Sequence, residues 1–198
     1  MYKSGMTAQK LFEILRGDVD ISLAIDDNLL LLWLNALQQM LYSEIVREQR
    51  VSSIFGEGDA VPYTQLARAE DESMPEARDI VGVFADNVEA QRVSGGIGRI
   101  LHGERPAWYD GGSAICMMLP VPAREVQIAH VVRPATATIT DEVCVPPEFL
   151  PMVLSRLRGE VYRVSNEDGL ASKWLADFNV ELETFKVWCN THREKYGM

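Results

Sequence analysis

Two apolar stripes at helical spacing, on helices divided by a break of only five residues, constrain this 198-residue chain more than any other feature of it. The first stripe is Phe149, Leu150, Val153, Leu154, Leu157 and Val161, and the second is Leu170, Trp174, Phe178, Leu182 and Phe185. Recurrence at three and four residues places each set on one helix face. Pro146 and Pro147 mark the start of the first helix, because proline fits a first turn, where its missing N–H would have no partner. The break from Ser165 to Gly169 is so short that the two helices must lie nearly antiparallel.

The N-terminal part repeats this grammar. Leu30, Trp33, Leu34, Leu37, Leu41 and Ile45 predict a helix over 28–46, capped by Asp26 or Asp27. Thr7 caps a shorter helix whose buried face is Leu11, Phe12 and Leu15, with Gly17 as its stop. All the long stripes need a common burial site, so Trp33, Leu37, Leu41, Leu154, Leu157, Trp174 and Phe178 are expected to form a bundle core.

The middle reads differently. Residues 51–77, with Gly56, Gly58, Pro62 and Pro75, show no sustained period and predict a connection longer than the ~12–15 residues usual in a compact domain. From 79 to 140 short apolar or alternating runs, Ile80–Phe84, Ala114–Leu119 and Val126–Val132, predict strands. Pro120 and Pro122 separate two of them, which suggests one antiparallel sheet with short connections, and Gly95–His102 forms a helical turn or two on the way. The expected fold is mainly α with a small antiparallel β excursion, an α+β chain. A bundle of three to four helices from 7–50 and 146–194 carries a loop and β-rich excursion over 51–145, within one domain spanning 1–198.

Composition removes several function classes. The most apolar run, Leu29–Leu34, is about a third of the ~20 residues needed to cross a bilayer, and no secretory leader is expected. Three cysteines, Cys116, Cys144 and Cys189, without C-x-x-C spacing argue for reduced thiols in a cytoplasm and against a disulfide framework or zinc knuckle. A net charge of -10 opposes binding through phosphate neutralisation. From Glu57 to Glu89 nine acids face only Arg68 and Arg78, a net -7, with Glu70, Asp71 and Glu72 adjacent. This stretch reads either as a solvated loop or as a wall that repels DNA.

Catalytic signatures are weak. Gly96, Gly98 and Leu101 begin a dinucleotide loop but lack its third glycine. Gly111, Ser113 and Ile115 begin a nucleophile elbow and end on an obstructing isoleucine. Cys116 reads as a small strand hydrophobe, and His102, His130 and His192 have no metal-binding spacing. No catalytic residue, metal or cofactor is expected.

The succession of features carries more than any one motif. A helix bearing Trp33-Leu-Asn35-Ala36-Leu is followed by Pro106-Ala-Trp108-Tyr109 and a strand ending Met118-Leu-Pro120-x-Pro122. Then come Val126 to Arg133-Pro134, Asp141-Glu-Val-Cys-Val-Pro146-Pro147-Glu-Phe149 and the paired helices. From about Thr7 to Lys186 this order resembles the head-to-tail adaptor, or connector, family of tailed bacteriophages. The resemblance implies a virion structural protein, assembled in the bacterial host cytoplasm, that forms a ring, usually of twelve copies, between the portal and a tail or nozzle protein. Genomic DNA would pass through without specific binding; no cofactor and no membrane are implied. Glu70, Asp71 and Glu72 would then be channel-facing acids, although the family pattern has no clear counterpart of the 57–89 stretch. Two other classes compete: a soluble interaction or regulatory module with one protein partner, and a small hydrolase using Cys116 and His130.

Overall fold

The computed structural model describes residues 1–18, 25–56, 59–93 and 105–196. They hold four α-helices and two four-stranded sheets, an α+β fold. The chain divides into two compact units. One comprises Met1–Val46 and the chain from Thr136 onward, the other Arg47–Ala135.

The helical unit contains α1 (Ala8–Asp18), α2 (Asp27–Met40), α3 (Leu150–Val164) and α4 (Asp168–Tyr196). Asp26 resolves the capping choice: its carboxylate accepts from the Asn28 N–H at 3.1 Å, and that bond holds the carboxyl below its ordinary range. α2 continues through a wider π-type turn, Leu41–Val46. The whole stretch Asp27–Val46 is long and apolar enough to cross a bilayer, with mean hydropathy 1.2, but Leu30, Leu34, Leu37, Leu41 and Ile45 are buried in the core of this unit.

α3 and α4 are joined by a turn in which Asn166 adopts φ 61°. Phe149 packs edge-on against Phe185 at 4.8 Å, and Arg156 lies 5.5 Å from the Phe178 ring, so residues rise on one helix as they fall on the other. The pair is antiparallel. Gly159 sets its spacing, because a Cβ there would stand 2.7 Å from Leu175 Cδ2. Leu37, Leu41, Leu157 and Phe178 are buried in the expected core, with Trp33 and Leu154 packed against it.

Trp174 departs from the expectation. It is only half-buried, outside the core cluster, with the Arg158 guanidinium 4.5 Å and the Lys173 ammonium 5.4 Å from its ring. Steps of four residues overshoot a 3.6-residue turn by about 40° each, so reading back from Phe178 carries Trp174 and then Leu170 off the buried face. The inward row instead alternates four- and three-residue steps through Ala171, Leu175, Phe178, Leu182, Phe185 and Cys189.

Residues 136–145, expected in the excursion, belong to the helical unit. Asn35 holds them like a strand: its Oδ1 accepts from the Ala137 N–H at 2.7 Å and its Nδ2 donates to the Ala137 carbonyl at 3.1 Å. Val143 and Val145 then plug the core.

In the second unit β1 (Gln49–Phe55), β3 (Ile80–Ala85), β4 (Val88–Glu89) and β8 (Glu125–Val131) form a sheet in the order β1-β8-β3-β4. β2 (Ala60–Pro62), β5 (Gln91–Arg92), β6 (Ala107–Asp110) and β7 (Ala114–Met118) form a second, in the order β2-β7-β6-β5. Val83, Val126 and Ile128 of the first share a core with Val61, Trp108 and Ile115 of the second.

Three expectations change here. The β region is two sheets, with β5 and β6 parallel. The segment holding Pro120 and Pro122 passes from one sheet to the other instead of closing a hairpin. Residues 51–77 are not one unbroken connection, since β1, β2 and a short 3-10 turn, Tyr63–Gln65, divide them. β1 escaped notice because its inward residues include Arg50 and Ser52 while Val51 and Phe55 face out, which inverts the usual alternation. Gly95–His102 lies outside the described residues.

Candidate functional site

The densest polar constellation lies where the segment from Leu66 to Asp79 folds onto the first sheet. Pairing places Arg50 of β1 and Ile80 of β3 opposite His130 of β8. Glu72, 5% exposed, accepts from Arg50 at 2.7 Å through Oε1 and from the Ala69 N–H at 2.7 Å through Oε2. Arg133, equally buried, donates to Asp79 Oδ2 at 2.6 Å and lies 3.5 Å from Glu76. Asp79 Oδ2 also accepts the Glu76 N–H at 2.8 Å. Ser52 Oγ accepts from the Ala67 N–H at 2.8 Å, and Ser73 Oγ donates to the Pro134 carbonyl at 2.6 Å. Each buried carboxylate thus has both a cation and a backbone donor, the condition under which burying charge is tolerated.

His130 is fully enclosed beside this lattice. Burial is the main cause that lowers its pKa from 6.5, and the Arg50 cation adds to it; Glu72, Asp79 and a hydrogen bond with the Ala67 backbone act the other way. The folded state therefore favours neutral imidazole. As pH falls below 6.5 the unfolded chain takes the proton first, so stability held above that pH is lost on acidification. Thermal unfolding of wild type should weaken from pH 7.5 to 5.5, a trend that His130→Gln should flatten; equal slopes in the two proteins would refute this.

These contacts correct the reading of the acidic stretch. Glu70 is exposed and Asp71 half-buried, but Glu72 is an internal ion-pair partner and cannot face a channel. The three do not share one face. Asp79 and Glu76 are paired as well, and Asp86 accepts the backbone N–H groups of Arg124 and Glu125. The cations that pair with its buried carboxylates, Arg50 with Glu72 and Arg133 with Asp79, come from outside it, which a count over 57–89 could not show.

The proposed nucleophile and base are not brought together. Cys116 lies on the second sheet, its thiol hydrogen-bonded with the Tyr109 phenol, whose pKa is raised by that bond. His130 is on the first sheet among Arg50, Glu72 and Asp79. Gly111 and Ser113 belong to the β6–β7 hairpin, not to a strand-to-helix elbow, and a Cβ on Gly111 would stand 2.6 Å from the Cys116 sulfur. His192 stacks on Trp188 at 3.8 Å. Gly96, Gly98, Leu101 and His102 lie outside the described residues. Among the described residues no group of His, Cys, Asp or Glu could hold a metal ion.

An open cleft of about 610 Å³ is lined by residues of β3 and of the β5–β6 edge, among them Trp108, Glu89, Arg92 and Arg105. Arg92 lies 5.0 Å from the Trp108 ring. Neither the cleft nor the Arg50 and Arg133 pairings was read from the sequence. Arg133 carried a usable signal, being a cation that directly follows an apolar strand. No protein-family model matches the chain, and no curated protein matches it.

Proposed function

We propose that this chain is a head-to-tail adaptor of a tailed bacteriophage, a virion structural protein that closes into a ring between the portal and the tail. The observation that carries the reading is the order of features along the chain: helices, a β-rich insertion, then the Pro146-Pro147 entry into a long helical hairpin. An α+β architecture in which the insertion leaves the helical unit after α2 and returns before α3 is compatible with it. The helical unit and the β unit each present a surface of their own kind, and a component that joins a portal to a tail needs two. Electron microscopy of the chain mixed with the portal ring of its own phage tests the proposal. Closed rings stacked on the portal are expected, and the interaction-module reading predicts one or a few bound copies without closure.

Within this proposal exposed acids of the β unit face the passing genome, so that phosphate is repelled and not held. Glu70 is the member of the original trio that can do this, with Asp71 half-exposed beside it. Reversing both to lysine while sparing Glu72 should leave particles assembled but slow DNA ejection several-fold, most at low salt, where screening is weakest. Unchanged ejection at low salt from intact particles would remove these residues from the channel.

A further inference from the structure

β1 is the edge of the first sheet, hydrogen-bonded on one side to β8. The Val132 N–H donates to the Glu48 carbonyl and the Gly56 N–H to the Arg124 carbonyl, so the even-numbered residues of this strand bond inward. Gln49, Val51, Ser53 and Phe55 therefore turn their N–H and C=O groups toward the open side. Among the described residues no strand pairs there. The same residues carry the exposed face: Val51 is 59% and Phe55 76% exposed.

Edges of this kind are normally guarded by lysine, proline or a bulge. β1 has none of these, and its single charge, Arg50, is directed to Glu72 on the opposite face. In a chain of net charge -10, the outward row Gln49, Val51, Ser53, Phe55 is neutral. A second copy can meet it without opposing like charges.

We infer that β1 is a self-pairing edge, through which two copies of the chain join antiparallel, β1 to β1, into one continuous sheet. The choice of occupant rests on edge lengths. Among the described residues the other sheet edges are β4 and β5, of two residues each, and β2, of three residues ending in Pro62, whereas β1 has seven. The edge on a second copy that matches β1 in length is β1 itself. Antiparallel pairing centred on Ser53 places Val51 of one copy directly opposite Phe55 of the other, a favourable β-branched and aromatic combination. One strand pair buries less than the ~1,200 Å² of a stable interface, so the dimer is weak and concentration-dependent. The inference does not depend on the adaptor proposal.

Sedimentation velocity on the full chain over a concentration series up to about 1 mM tests it, since a dimer with a Kd of about 1 mM is half-formed there. Ser53→Pro removes an outward N–H that β8 does not use, so the β1–β8 ladder should survive while the edge is closed. Val51→Lys places a charge on the outward row and serves if the proline variant unfolds. Wild type is expected to dimerise, and either folded variant, checked by circular dichroism, should raise Kd at least tenfold. A wild type that stays monomeric throughout overturns the inference, as does self-association of any order that folded variants leave unchanged.

Discussion

Arg133→Ala is expected to destabilise the β unit by about 3–5 kcal/mol, the usual cost of leaving one member of a buried ion pair without its partner. Asp79 is 3% exposed and would keep a carboxylate with the Glu76 N–H as its remaining short contact. Arg133→Met combined with Asp79→Asn should recover most of the loss, because the charge is then gone from both sides and the amide oxygen can still accept from Glu76. Urea unfolding of the three variants measures this. A double variant no more stable than Arg133→Ala would show that the pair supports the fold in some way other than mutual neutralisation.

Phe185→Ala should cost about 3–5 kcal/mol in the helical unit, the range for an emptied aromatic site. The ring is 1% exposed, at 4.8 Å in edge contact with Phe149, and belongs to the inward row of α4. Trp174→Ala is the informative control. Its larger ring sits under Arg158 at the edge of the helix pair, so the loss is a partial burial plus a cation–π contact of about 0.5–1 kcal/mol, and the total should be clearly smaller than for Phe185. If the tryptophan proved the costlier of the two, the assignment of the buried face of α4 would be wrong.

That contrast shows what could be read from the sequence and what could not. The helices were legible because each buries a stripe of large apolar residues whose spacing survives in one dimension. On α4 the largest residues at that end, Leu170 and Trp174, drew the reading, whereas the inward row there uses the buried Ala171 and the half-buried Leu175, the latter seated against Gly159 on α3. Strands β3, β7 and β8 were legible for the same reason, as runs of buried apolar residues. β1 was not, because Arg50 and Ser52 are acceptable inward residues only once Glu72 and the Ala67 N–H are in place, and those partners are 22 and 15 residues away. The acidic stretch misled in the same manner. Its charges were counted along the chain, but the cations that neutralise the buried Glu72 and Asp79 arrive from β1 and from beyond β8.

Two ion pairs tie the segment from Leu66 to Asp79, and with it the exposed Glu70, to the first sheet. Under the adaptor proposal a surface charge held that way would repeat in register around the ring.

Native mass measurement of the chain bound to the portal of its own phage tests the central proposal most directly. A ring adaptor predicts one dominant species in which the portal gains a fixed multiple of 22.2 kDa, about twelve copies if the family's usual number holds, with no intermediate occupancies at saturation. No binding, or a ladder of partial occupancies that never closes on one stoichiometry, would contradict it.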